Sequence, residues 1–569
     1  MSSTIVSRKG TTSLDEGYLV QSATRQAVGI SVAIWALGAL FFFRAFWLSG
    51  FDLVFGDNGD AQLLIAVLEH WHRFFSGTSG FNEALFFHPE PSVLGYTDTY
   101  FLFGLPYTAF RWMSVDPYAS YILSLLVLSG FGFAGYQLLL FRHLGVRWWI
   151  AALAALIAVF GNAVQLRILH GQTFTFTLLP WVLLLTLEGL RARRQAYAAA
   201  WAAAAGILLA LVFLTAFVTA WFFVLVLLFM TAFLALTRAG RELMLRSTGN
   251  VVAVLTAGGI SFAIGMMPFL AIYGPVIAQQ RGRTFDEVLH YAPVWSDFLN
   301  VGANNLVWGR ILGAFEKSSY LQIEVCMGYA PALLLLSLLA IGWLFVSRDI
   351  GDDRMRDRLT VLKAAAISLI VISMALMDFG GFRPWYLIWK LIPGAEAVRT
   401  IFRYQIVLMP FAIAIVAFAI DRCVTASRAF AGRRSIAGAA LAVLGIFLIA
   451  EQITVATATA LSRKAELAKF GVMPEPPAAC RVFYAAEAAR TQRFWVHFQT
   501  EAVMLAQLTG VPTVNGNSSW QPDGWDFNDP SMPDYRQLVR KWLQSHGLND
   551  GVCEVVVADW SWTLQPSDH

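Results

Sequence analysis

Of the 569 residues, 57% are hydrophobic and 14% charged, which is too apolar for a water-soluble enzyme of this length and points to a chain that crosses a membrane many times. The net charge is +4, with Lys and Arg in short clusters between apolar runs; that pattern marks membrane topology and argues against nucleic-acid binding. Phosphate-loop, dinucleotide, nucleophile-elbow and paired-cysteine metal motifs are all missing, so any reaction takes its energy from the substrate or an ion gradient.

Arg8 and Lys9 precede the first apolar run, 27–49, which is longer than a signal-peptide core and lacks a small-x-small cleavage site, so it reads as a retained helix. Just beyond it comes Gly56-Asp57-Asn58-Gly59-Asp60. Two carboxylates so close to lipid are costly unless they face water, a cation or a substrate. The next stretch, 62–71, reads as a helix with Asp60 at its amino end, where capping of backbone N–H groups is the structural explanation for one aspartate. The chemical explanations are a general base acting on an acceptor hydroxyl, or an oxygen site for Mg or Mn made by Asp57 and Asp60. His88 and Asp98 lie on the same loop and are available to complete such a site.

Further runs able to span fall at 118–141, 148–165, 173–190, 197–214, 218–236, 250–273, 327–346, 361–379, 404–421 and 434–456. The stretch 197–236 is too long for one helix and divides into a hairpin near Thr215. With about eleven spans and a cytoplasmic amino terminus, the clusters around Arg142, Arg191, Arg238, Arg354 and Arg422 all lie inside. This requires 99–115, interrupted by Pro106, not to cross; if it does cross, there are about twelve spans. The long loops 50–117, 274–326 and 380–403 then share the outer side with the tail 457–569 and build a chamber there.

His170-Gly171-Gln172 faces that chamber, where His170 either bonds a backbone carbonyl or, with Gln172, holds sugar hydroxyls or phosphate. In the loop 393–404, Arg399 and Arg403 are four apart and share a face if helical; Arg383 lies upstream and is available to join them. Outer arginines run against the topology rule, so they either snorkel to lipid headgroups or bind an anionic phosphate. The tail reads as a small α/β domain, with strands at 481–484 and 553–558 and helices at 499–509 and 534–546. Cys480 and Cys553 precede its strands, which side by side bring them together as a disulfide or as two buried thiols.

Together the Asp-bearing first loop, Phe87-His88-Pro89, Tyr96-Thr97-Asp98, His170-Gly171-Gln172 and the 393–403 loop resemble the GT-C superfamily of polytopic glycosyltransferases that use polyprenyl-phosphate sugars, nearest its YfhO-like or uncharacterised branches. The likeness covers most of 27–456, within a catalytic membrane domain 1–456. It implies a polyprenyl-phosphate-sugar donor, a lipid-linked, glycan or protein acceptor, hexosyl or pentosyl transfer, and a site on the outer face of a bacterial inner membrane. It also implies that Asp60, or else Asp57, is the base, and that Arg399 and Arg403 hold the donor phosphate. The alternatives are a transporter or flippase, which needs intramembrane charges such as Glu188, Asp378 or Glu451 along a path, and a non-catalytic assembly protein.

Overall fold

A computed structural model describes residues 13–246, 248–279, 282–312, 328–347, 353–427, 434–456, 459–487, 494–557 and 559–566. Part of the expected outer loop 274–326 and the first residue of the expected span 327–346 therefore lie outside the described residues. Eight described helices are long and apolar enough to cross a membrane, among them Pro117–Leu144, Trp148–Leu166, Gln195–Thr215 and Phe217–Leu236; nine qualify if a pair bent by 82° at 238–265 counts as one span. The remaining expected spans are helical but shorter. The run 250–273 breaks before Met267–Gln279, where Pro268 has no N–H to continue the ladder. Pro331–Val346 and Gly438–Ala450 are also apolar helices of under 18 residues.

The first helix ends at Phe42, and a short helix, Arg44–Leu48, completes the first run. Arg44 donates to the carbonyls of Thr454 at 2.6 Å and Val455 at 3.0 Å, joining the end of the first span to the end of the last. Pro106 lies within Phe101–Trp112, a helix of 12 residues, about 18 Å long and too short to span. Both its ends bond to elements at one end of the bundle: Leu102 N–H donates to Thr215, and Arg111 pairs with Glu69 at 2.6 Å.

That end carries all the long loops. Leu53–Val54 pairs antiparallel with Leu461–Ser462, Trp542 donates to the His88 carbonyl at 2.9 Å, and Arg283 donates to the Ser519 carbonyl at 2.6 Å. The basic clusters gather at the opposite end, where Arg142 meets Glu188 at 3.1 Å and Arg147 meets Asp421 at 3.1 Å. Helix Asp60–Phe75 is buried over 61–71, with Gln62, Glu69 and His70 among its buried side chains. Helix Trp495–Thr509 of the tail packs against it.

The tail is a small α/β domain. Val482–Ala486 pairs parallel with Val552–Val556, which pairs antiparallel with Ser561–Leu564, a strand the sequence pattern does not announce. The parallel register sets Phe483 opposite Cys553 and brings Cys480 into a disulfide with Cys553, Cα atoms 5.7 Å apart.

Candidate functional site

The loop Gly56–Asp60 turns on a glycine. Gly56 has φ +97°, and a Cβ there would run into the Ala61 side chain, so the chain can enter helix Asp60–Phe75 only with glycine at this corner. The Asp57 carboxylate then accepts the backbone N–H groups of Gly59 and Asp60, each at 3.0 Å. Capping thus falls to Asp57, not to Asp60 as the sequence suggests, and the two aspartates have different tasks. The Asp60 side chain is 53% exposed and lies 2.9 Å from His170 Nδ1.

His170 gets there because a helix stops early. Trp148–Phe160 ends at Gly161 and the chain turns through the short helix Asn162–Leu166. A buried polar latch holds the break. Thr454 donates its hydroxyl to Asn162 Oδ1 at 2.7 Å and its N–H to Gln165 Oε1 at 3.0 Å, and Asn162 Nδ2 donates to the Val301 carbonyl at 3.0 Å. Every partner is a matched donor or acceptor, so the network fixes the turn instead of leaving unpaired dipoles in the bundle. Gly171 follows, where any Cβ would meet the Tyr121 hydroxyl, and Gln172 opens the 3-10 turn Gly171–Leu178 beside it.

Asp98 lies further along the same loop, after helix Asp60–Phe75. Its carboxylate accepts the Phe217 N–H at the start of helix Phe217–Leu236, and the charge of Arg403 favours its ionised form; burial outweighs both and pushes it up from 3.8 to about 6. Burial pushes the Tyr100 hydroxyl well above its usual range, and the charges of Asp98 and Asp60 push it in the same direction. Tyr100 itself holds φ +54°, one of five non-glycine residues of the first loop in the left-handed region, with Phe51, Phe87, Ser92 and Ser114. Backbone strain of this kind gathers where a site over-determines its geometry.

The folded chain keeps the Asp98 proton to higher pH than the unfolded chain does, so stability from this group is lost as pH rises from about 4 to about 6. A carboxylate kept against stability in a chamber is a functional candidate. We expect activity at this site to fall below about pH 6 as Asp98 takes up a proton and loosens its hold on Arg403, and Asp98→Asn to remove that limb. Rates between pH 5 and 8 for parent and variant check this; an unchanged limb in the variant refutes it.

Arg399 and Arg403 have different neighbours. Arg403 faces Asp98, whereas Arg399 lies over the Tyr291 ring at 5.5 Å and repels Arg283. Burial, with Arg399 beside it, pulls the Arg283 guanidinium below its usual range, and Arg283 stacks on Trp520 at 3.8 Å. Among the described residues, Arg283 thus joins Arg399 and Arg403 as a basic residue of this region. Sequence offers no reason to single out Arg283, because its partner Trp520 lies in the tail. Arg383 does not join them: Asp378 binds it at 2.9 Å within its own turn. His88 sits at the seam between first loop and tail, its N–H donating to the Thr513 carbonyl at 2.9 Å, away from Asp60. Among the described residues no three His, Cys, Asp or Glu side chains converge to hold a metal, and Asp57 spends an oxygen on backbone N–H groups. These residues do not fit the cation site considered for Asp57 and Asp60.

Neither the known family models nor the curated proteins include a match to this chain. Among solved structures, the chain is similar to the Archaeoglobus fulgidus oligosaccharyltransferase tethered with an acceptor peptide containing the NVT sequon, with 12% identity and TM-score 0.46 over 90% of this chain and 68% of that one. It is also similar to ArnT from Cupriavidus metallidurans bound to undecaprenyl phosphate, with 13% identity and TM-score 0.33 over 86% of this chain and 85% of that one. Apo ArnT gives 12% identity and TM-score 0.38, covering 95% and 94% of the two chains. At these identities and scores the likeness carries no argument about chemistry, which has to come from the site itself.

Proposed function

We propose that the chain is an inverting glycosyltransferase that moves one sugar from a polyprenyl-phosphate donor to an acceptor hydroxyl on the extracytoplasmic face of the membrane. The observation that carries the reading is the half-exposed Asp60 carboxylate, held 2.9 Å from His170, on the loop that also carries Asp98 with Arg403 as its charge partner. Asp60 takes the acceptor proton as the acceptor oxygen bonds to the anomeric carbon. The bond from that carbon to the phosphate oxygen breaks, and polyprenyl phosphate leaves with its charge met by Arg399 and Arg403. His170 orients Asp60, Asp57 shapes the loop, and Asp98 sets the position of Arg403.

The described residues give little support to transport. Glu188 pairs with Arg142 at 3.1 Å and Asp378 with Arg383 at 2.9 Å. Glu451 accepts from Trp308 Nε1 and the Ala332 N–H at 3.0 Å and from the Leu333 N–H at 2.8 Å. Each of these acids is satisfied locally at a span end and lines no path.

The purified chain, given a panel of polyprenyl-phosphate donors carrying labelled sugars with membrane lipids and glycans as acceptors, is expected to release polyprenyl phosphate and invert the anomeric centre. Retained configuration rules out the single displacement. Absence of both transfer and donor binding in folded protein rules out the enzyme.

A further inference from the structure

The Gly56–Asp60 loop is held from outside the membrane domain. Glu466, 3% exposed on helix Arg463–Gly471, accepts the Asn58 side-chain amide at 2.8 Å. Lys469 fixes Glu466 at 2.7 Å and reaches across to Glu501 at 2.6 Å, tying two tail helices together behind this contact. From the second helix, fully buried Thr500 lies 2.5 Å from the Asn58 carbonyl, closer than to the carbonyls of its own helix at 3.0 Å. One helical turn earlier, Val496 Cγ1 lies 3.2 Å from where a Cβ on residue 59 would be, so the helix rests directly on Gly59. Asn58 is thus gripped by side chain and carbonyl, midway between the capping Asp57 and Asp60.

We infer that the C-terminal domain is a positioning element of the active site, with Thr500 and Glu466 holding Asn58 so that Asp60 faces the chamber. The inference rests on the reading of Asp60 as the base. Neither residue touches substrate. A hydroxyl and a carboxylate that each bond one residue beside the base can fix it to the fraction of an ångström that proton transfer in the transition state requires. Nothing in this arrangement binds the donor, so loosening it acts on turnover and leaves donor affinity alone.

The test compares parent, Asp60→Asn, Thr500→Val, Thr500→Ser and Glu466→Ala in full-length protein. It measures kcat, the donor KM and amide hydrogen exchange over 56–64. Thr500→Val removes the hydroxyl at nearly constant volume, Thr500→Ser restores it, and Glu466→Ala frees Asn58 while leaving Lys469 its bond to Glu501. We expect Thr500→Val and Glu466→Ala to lower kcat roughly ten- to hundredfold with donor KM unchanged and faster exchange over 56–64, and Thr500→Ser to behave as the parent. Parental kcat in Thr500→Val and Glu466→Ala beside an inactive Asp60→Asn overturns the positioning role alone. So does a loss that Thr500→Ser fails to restore, or one in which KM rises as kcat falls. If Thr500→Val does not fold, Glu466→Ala decides by the same criteria. An active Asp60→Asn overturns the underlying assignment of the base, whatever the tail variants do.

Discussion

Asp60→Asn is expected to lower kcat by roughly 10²- to 10⁴-fold while the protein folds and melts as the parent does. Asn keeps the shape of the side chain and can still bond to His170, but it cannot accept the acceptor proton. The two loop aspartates separate cleanly in this experiment. Asp57 uses its carboxylate on the Gly59 and Asp60 N–H groups, so Asp57→Asn, which keeps an acceptor oxygen, is expected to retain most activity. Asp57→Ala removes the cap and is expected to cost about 1 kcal/mol of stability, with a smaller loss of kcat than Asp60→Asn. Labelled-sugar transfer and thermal unfolding of the three variants check the division. A more severe catalytic loss in Asp57→Asn than in Asp60→Asn would reverse the assignment.

Breaking the Cys480–Cys553 bond is expected to produce the largest stability change available in the chain. The bond closes a loop of 73 residues that contains the first strand of the tail sheet and both large tail helices. In the chain-entropy account such a closure contributes about 4 kcal/mol, against a domain stability of roughly 5–15 kcal/mol. The Cys480→Ala/Cys553→Ala variant should therefore show a tail that unfolds separately and at lower temperature than the spans. Transfer should fall with it, because the same segment carries Thr500 and Glu501. Reductant added to the parent should reproduce both effects. Identical melting with and without reductant would show that the closure contributes nothing.

Where the amino-acid pattern is local, the structure follows it closely. The hairpin placed near Thr215 has helices ending at Thr215 and restarting at Phe217, because the 197–236 stretch exceeds one bilayer crossing. Period-two and period-3.6 patterns in the tail identify two strands and two helices, and the pairing of those strands explains the cysteines. Legibility fails where a residue's partner is far along the chain. The break at Gly161 depends on Thr454 and Val301, and apolar composition alone makes 148–165 look like an uninterrupted span. The aspartates of the first loop are conspicuous, but their roles depend on which one the backbone occupies, and that is decided by a turn centred on one positive φ. Arg383 looks like a phosphate ligand only until Asp378 is seen beside it. Arg283, Thr500 and Glu466 carry no sequence signal, since their partners lie hundreds of residues away.

The short ladder joining Leu53–Val54 to Leu461–Ser462 has a consequence for how the protein is made. Ser462 bonds Asp52 across a separation of 410 residues, so the first loop takes its final shape only once the segment around residue 462 has been made. Contacts of such long range form late, after the helices between them. Until residue 462 arrives, the strand that leads into Gly56–Asp60 has no partner, and the order of synthesis therefore sets when the two loop aspartates reach their folded positions.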